Sequence, residues 1–203
     1  MNILVAYSID SIPTTVTAYA GDKLATILEE KGHNVTKLSG LMTNRLAFQL
    51  QMALKRADMI CYLGHGTKDK LIGQLPMGLL VPMVSLANRG LLVASVVHTV
   101  ACLSGAVLGR RSLARAYYGS TDYMFVAYPD AEHNWLEDFT DTWLTIPLFL
   151  SEGSTDYIKA LNLYKEKCTK YIKEYEKHPE WHNGDAYIHF LQRNRDGYTV
   201  YIR

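Results

Sequence analysis

Short apolar runs alternate along this chain with longer stretches in which apolar residues recur at helical spacing. Short apolar runs are typical of buried strands, and their alternation with helices predicts a parallel sheet. Helices are predicted over residues 16–31, 43–56, 83–88, 106–117, 137–150 and 155–176. Extended segments are predicted at residues 3–7, 35–38, 123–128, 187–191 and 198–202, with the last strand at a sheet edge. The pattern therefore predicts an α/β fold, a three-layer sandwich with a mostly parallel central sheet flanked by helices.

Two further apolar runs end at chemically reactive residues. The run in ICYLGHGT ends at His65, and the run in LLVASVVHTVACLSG ends at Cys102. Because reactive groups of parallel sheets gather at the carboxyl ends of the strands, we expect both side chains at one edge. An imidazole within reach of a thiol takes its proton and stabilises the thiolate. The arrangement favours a Cys/His hydrolase. Residues 68–82, rich in glycine and proline, predict a loop or short hairpin over that edge.

Composition and charge predict one domain and argue against nucleic-acid and membrane partners. The chain has 203 residues, 48% of them hydrophobic, which is enough for one domain with a full core. Its formal charge of +1 comes from 21 basic and 20 acidic residues without a basic block, so nucleic acid is not an expected partner. No apolar stretch reaches membrane-spanning length and the start carries no leader signal, so we expect no membrane partner.

The three cysteines Cys61, Cys102 and Cys168 are odd in number and widely separated. This usage differs from a disulfide framework and offers no metal-ligand spacing, so it indicates a reducing cytoplasm and no metal. Cys61 lies within a predicted strand and Cys168 within a predicted helix, where both are interpreted as structural. His98 precedes Cys102 in the same strand and is interpreted as a core residue.

The motifs around the two reactive residues resemble a known family. YLGHG, an apolar strand ending in His-Gly, and VACLSG, a second strand ending in Ala-Cys-x-Ser-Gly, resemble the caspase-like (clan CD) cysteine peptidases, most closely the gingipain and CHAT-domain branches. The similarity in the order of elements extends over residues 1–165. It implies a caspase-like, Rossmann-like fold, no cofactor, and a peptide or protein as substrate. It leaves a homodimer open.

The resemblance also implies roles for individual residues. Cys102 would attack the scissile carbonyl and form a thioester, and His65 would protonate the leaving amine and then activate water. Backbone N–H groups of Gly66 and Cys102 would form the oxyanion hole. Ser104 and Gly105 match the family's turn into a following helix, whose N-terminus would favour the thiolate.

Departures from the family pattern bear on substrate preference. Val100 stands where metacaspases and legumain have an acid, and the loop IDSIPTTVT lacks the arginine with which caspases read aspartate. Cleavage after aspartate is therefore disfavoured. Three acids, Asp10, Asp130 and Glu132, are predicted on loops at the active edge, and their charge would suit a basic P1 residue.

Two other functions remain open from the sequence. The opening ILVAYSIDSIPTTVT, followed by a helix, is similar to the start of flavodoxins, whose hydroxyl-rich loop cradles the phosphate of FMN. The glycine usual in that loop is missing, and flavodoxins give no reason for His-Gly and Ala-Cys-x-Ser-Gly at two later strand ends. A caspase-like domain that binds peptides or partners without cleaving them is the other alternative.

Overall fold

In the computed structural model, which describes residues 1–75, 79–131 and 133–203, a six-stranded sheet forms the centre of the molecule. Its strands are β1 (Asn2–Tyr7), β2 (Asn34–Ser39), β3 (Met59–Leu63), β7 (Val96–Val100), β8 (Ala116–Ser120) and β9 (Tyr198–Ile202). They lie in the order β2-β1-β3-β7-β8-β9, and only the last pairing is antiparallel. The predicted mostly parallel sheet is confirmed, and β9 lies at an edge as predicted.

Helices cover both faces of this sheet. They are α1 (Ile12–Glu30), α2 (Arg45–Lys55), α3 (Trp135–Ser151), α4 (Tyr157–Tyr175) and α5 (Gly184–Gly197). Side chains of β1 alternate between the faces: Val5 lies in a core cluster with residues of α1, α3 and α4, whereas Leu4 lies in a second cluster with residues of α2. This alternation follows from the two-residue repeat of a strand, and the central strands β3 and β7 are buried at every position. The three predicted layers are therefore present.

Local sequence signals mark the starts of the helices. Asn44, Asn134 and Asp156 each accept a backbone N–H of the first turn of α2, α3 and α4, respectively. Such caps satisfy donors that the helix itself leaves unpaired. After α1, Gly32 adopts a φ of +82°, which turns the chain into β2 and suits glycine.

A smaller antiparallel sheet lies beside the carboxyl end of β3. It consists of β4 (Gly66–Thr67), β5 (Lys70–Gln74) and β6 (Leu80–Ser85), followed by a 3-10 helical segment, Leu86–Leu92. The predicted hairpin over residues 68–82 is confirmed for the described part, and residues 76–78 of that prediction lie outside it. The helix predicted over residues 83–88 is wrong at its start, because Met83 and Val84 are buried in β6.

The prediction also failed in the region that follows Cys102. In place of a helix over residues 106–117, a short π-helical turn, Gly105–Gly109, leads almost directly into β8. The strand predicted at residues 123–128 is an irregular segment there. Both errors have one cause: by their spacing the apolar residues of Ala116–Ser120 fit the end of a helix, but the segment forms β8, buried between β7 and β9. Tertiary burial overrides local spacing in such a segment.

A third difference concerns the tail. Residues 187–191, predicted to be extended, lie within α5, where Leu191 packs into the core beneath α4. The apolar residues of this segment fit a helix whose inner face is apolar. Among the described residues, no helix combines the length and the apolar character needed to cross a lipid bilayer.

Candidate active site

The two reactive motifs meet at the carboxyl ends of β3 and β7. These strands are parallel neighbours, with Leu63 in register with Val100. One residue further, the Gly64 N–H donates to the Val100 carbonyl at 3.0 Å. His65 and Cys102 therefore leave the sheet at the same edge, as predicted. Both residues are half-exposed, so solvent and substrate can reach them.

The imidazole of His65 is held by the loop that follows β1. Its Nε2 lies 3.2 Å from the Asp10 carboxylate and 3.1 Å from the Ser11 hydroxyl. The Asp10 side chain is only 4% exposed, whereas that of His65 is 35% exposed. A buried carboxylate beside a more exposed imidazole fixes the orientation of the ring.

This contact decides which nitrogen of His65 is basic. A carboxylate only accepts hydrogen bonds, so the nitrogen facing Asp10 carries the proton in the neutral ring. That nitrogen is Nε2, and Nδ1 is then the base. We assign this tautomer from the hydrogen-bond partner. The loop after the first strand thus supplies the group that orients the imidazole, a role that sequence analysis did not assign.

Gly66 is packed directly against the residue of the reactive thiol. A Cβ at Gly66 would lie 2.7 Å from the backbone oxygen of Cys102 and 2.9 Å from the Ala101 Cβ, which leaves no room for a side chain. The Ile72 N–H donates to the His65 carbonyl, so His65 and Ile72 form a hydrogen-bonded pair of the β4–β5 ladder. Pairs alternate in an antiparallel ladder, and the N–H of the next residue, Gly66, therefore points away from β5. Its amide is placed to serve as an oxyanion donor.

The thiol of Cys102 contacts the segment that follows β8. The Met124 N–H donates to Cys102 Sγ at 3.3 Å, and the Met124 carbonyl lies 3.8 Å from the same sulfur. The amide can stabilise a thiolate, and the carbonyl can accept from the neutral thiol. By contrast, burial raises the pKa of Cys61 well above its usual range and that of Cys168 to about 12. Both are buried and free, in agreement with a structural interpretation.

The turn after the thiol is strained and tightly packed. Leu103 adopts a φ of +57°, the left-handed region that side chains disfavour, and its N–H donates to the Asp122 carbonyl at 2.9 Å. The buried Ser104 hydroxyl bonds to Thr99, and a Cβ at Gly105 would lie 2.7 Å from the Gly119 oxygen. Ser104 and Gly105 thus shape the turn. The expected long helix with its N-terminus at the thiol is absent here, since the π-helical turn spans only Gly105–Gly109.

The three predicted substrate acids have different surroundings. Asp10 is engaged with His65, as described above. The carboxylate of Asp130 accepts hydrogen bonds from the His133 backbone and from the Trp135 indole, both near the start of α3. In the chain, an irregular segment, residues 121–129, separates Asp130 from the end of β8. Glu132 lies outside the described residues.

His98 is a core residue, as predicted. It is 1% exposed, and its Nδ1 lies 3.0 Å from the Tyr198 hydroxyl. Burial lowers the pKa of His98 to about 3, so the ring is neutral near pH 7. Its side chain therefore takes no part in the chemistry of the edge.

Sequence analysis missed three contributors to this site. In the sequence, Ser11 is one of several hydroxyl residues in a Ser/Thr-rich loop. The helix that follows it begins with Ile-Pro, which is a signal that Ser11 is the N-cap residue. Met124 acts through backbone atoms, for which no side-chain signal exists. Asn194, described below, was assigned to no functional position.

Comparison with known proteins adds no family to this geometry. No model of a protein family matches the chain, and no curated protein matches it with significance. The arrangement of residues alone carries the functional argument.

Proposed function

We propose that this protein is a cysteine endopeptidase of the caspase-like kind, with Cys102 as nucleophile and His65 as general base and acid. The observation that carries the proposal is the packing of Gly66 against the Cys102 backbone. At this contact an imidazole, a thiol and a backbone amide lie at one exposed edge, and the amide points away from its ladder. A structural role alone gives no reason for all three together.

The reaction follows from the roles of these groups. His65 Nδ1 takes the Cys102 proton, and the thiolate attacks the carbonyl carbon of the peptide while the N–H groups of Gly66 and Cys102 bind the oxyanion. When the tetrahedral intermediate collapses, the C–N bond breaks and His65 gives its proton to the leaving amine. A thioester remains. His65 then takes a proton from water as the hydroxide attacks the thioester. The C–S bond breaks, the carboxylic acid leaves, and His65 returns its proton to the sulfur to restore the thiol.

The surroundings of the pair support this assignment. Asp10 stabilises the imidazolium that forms when the thiol is deprotonated, and the Met124 N–H stabilises the thiolate. Both groups favour the ion pair over the neutral pair. A domain that only bound peptides would have no need for either contact, so hydrolysis explains more of the site than binding does.

The hydroxyl-rich loop of the flavodoxin alternative is used for other contacts. The Ser11 hydroxyl lies near His65, and the Ser11 N–H donates to Thr14 Oγ1 at 2.8 Å. Ser11 therefore contacts the imidazole and the first turn of α1. Flavin absorbance of the purified protein would support the alternative against our proposal.

One experiment tests the proposal directly. The protein is treated with iodoacetamide and, separately, incubated with a peptide library, and the products are identified by mass spectrometry. We expect labelling at Cys102 and peptide cleavage that Cys102→Ala abolishes. The matched control is Cys168→Ala, which removes a buried thiol and should leave both results unchanged. Labelling of Cys61 or Cys168 with Cys102 untouched would overturn the assignment.

A basic P1 preference is tested separately, because Asp10 also holds His65. In the same library, Asp130→Ala is compared with the unmodified protein. If Asp130 reads a basic residue, the variant loses preference for Arg and Lys at P1 while it retains cleavage. Unchanged selectivity removes Asp130 from substrate recognition.

A further inference from the structure

The sulfur of Cys102 depends on a segment without regular structure. Residues 121–125 follow β8 and provide both contacts to the nucleophile turn: the Met124 N–H to Cys102 Sγ and the Asp122 carbonyl to the Leu103 N–H. An irregular segment has no ladder to fix its amides. Something else must therefore hold the Met124 N–H in place.

Contacts from Gly197 and Arg193 hold the start of this segment, at Thr121 and Asp122, and the side chain of Asn194 on α5 holds its end beside Met124. Its Oδ1 accepts the Phe125 N–H at 2.8 Å, and its Nδ2 donates to the Phe125 carbonyl at 2.8 Å. Asn194 is fully buried. The carboxamide thus pairs with both backbone polar atoms of the residue next to Met124, in the manner of a neighbouring strand.

Loss of these bonds would leave backbone atoms of the half-buried Phe125 without their partner, which is costly. The Phe125 N–H also belongs to the peptide unit that contains the Met124 carbonyl. Fixing that unit restricts the dihedrals of Met124 and hence the direction of its own N–H. The chain of contacts therefore runs from α5 through Phe125 and Met124 to the sulfur.

We infer that Asn194 is a positioning residue for the reactive thiol: its carboxamide clasps Phe125 and so aims the Met124 N–H at Cys102 Sγ. The inference deepens the proposed function and rests on it. A donor aimed at sulfur favours the thiolate over the thiol. Asn194 therefore controls how readily Cys102 ionises, although it does not touch the substrate or the sulfur.

The test measures thiolate formation, which needs no peptide substrate. Alkylation of Cys102 by iodoacetamide is followed by mass spectrometry across a range of pH, and the midpoint reports ionisation of the thiol. In Asn194→Ala we expect the midpoint to rise by about one pH unit, with a correspondingly slower reaction at neutral pH. The control is Gln192→Ala, which removes the other carboxamide of α5 and should keep the midpoint of the unmodified protein.

A milder variant covers the case in which Asn194→Ala does not fold. Asn194→Ser keeps a hydroxyl that can pair with one Phe125 atom, so we expect a smaller upward shift in a folded protein. Near-UV circular dichroism establishes the fold of each variant. An unchanged midpoint in a folded Asn194 variant would overturn the inference.

The outcome also separates this inference from the peptidase proposal. If the unmodified protein is alkylated at Cys102 with a midpoint that Asn194→Ala raises, yet cleaves no peptide, the positioning role stands and the peptidase proposal fails. If peptides are cleaved and the alkylation midpoint is the same in Asn194→Ala, the peptidase proposal stands and the positioning role fails.

Discussion

Two Cys/His pairs lie on β3 and β7 or just beyond their carboxyl ends, and one of the two pairs is exposed to solvent. In the interior, Cys61 of β3 is in register with His98 of β7, and both are buried. At the carboxyl ends of the same strands, His65 and Cys102 are half-exposed. The two pairs have the same residue types, in exchanged order, on or just beyond the same two strands.

The difference between the pairs is one of solvent and partners. Burial raises the pKa of Cys61 and lowers that of His98, so both stay neutral and neither can transfer a proton readily. At the edge, the Asp10 carboxylate faces the imidazole and the Met124 N–H faces the sulfur, so each reactive group has a polar partner. Residue type alone does not set these surroundings; the position of each residue along its strand does.

Exchange of each histidine for glutamine should give the largest contrast. His65→Gln removes the proton carrier, and we expect peptide hydrolysis to fall by roughly 10²- to 10⁴-fold. His98→Gln should retain most of the activity, since His98 is buried away from solvent. Steady-state kinetics on one peptide compares the two. Equal losses in folded variants would contradict the distinction between the pairs.

Gly66→Ala tests the contact where the two strand ends meet. A methyl group would collide with the Cys102 backbone oxygen and displace the amide that we place in the oxyanion hole. We expect kcat to fall by roughly 10²- to 10³-fold, the usual cost of one lost oxyanion donor. Gly90→Ala is the control, because a Cβ at Gly90 meets nothing within 4 Å. Wild-type kcat in Gly66→Ala would exclude that amide.

Asp10→Asn tests the partner of the edge histidine. The variant keeps the shape but removes the charge that stabilises the imidazolium, so we expect hydrolysis to slow at least about tenfold, less than for loss of the imidazole. Because Asp10 and His65 form one unit, the double variant Asp10→Asn/His65→Gln should be no slower than His65→Gln. Additive losses would show that Asp10 acts independently, for example on the substrate.

The smallest expected effect concerns the interior pair and is a loss of stability as the pH falls. Burial lowers the pKa of His98 to about 3, below its unfolded value of about 6.5. Between these values the unfolded chain binds a proton that the folded protein does not, so stability present above pH 6.5 is lost as pH falls. The loss should approach about 1.4 kcal/mol per pH unit and be absent in His98→Gln. Urea denaturation between about pH 6 and pH 4 measures both slopes.

The sequence was sufficient to predict the central strands β1, β3 and β7 and their carboxyl ends. Strands β3 and β7 are buried at every position because both faces are covered, and their mostly apolar runs predicted the edge on which His65 and Cys102 lie. The core role of His98 also followed from its place inside a strand. Such inferences need only the period of the apolar residues and the chain order.

The region after Cys102 could not be predicted in the same way. Strand β8 is five residues long, and the apolar residues of its segment fit the spacing of a helix as well as that of a strand. The contact from Met124 to the sulfur uses backbone atoms, which every residue except proline offers. Its support comes from Asn194, distant in the chain and joined to Phe125 only in the folded state.

The hydrogen bonds between Asn194 of α5 and Phe125 have a consequence for biosynthesis. Ribosomes release a chain from its N-terminus, so His65 and Cys102 leave the exit tunnel well before Asn194 does. Until α5 has emerged and docked, the segment that faces the sulfur lacks its anchor. A nascent chain therefore carries both reactive residues before the contact between Met124 and the sulfur is anchored.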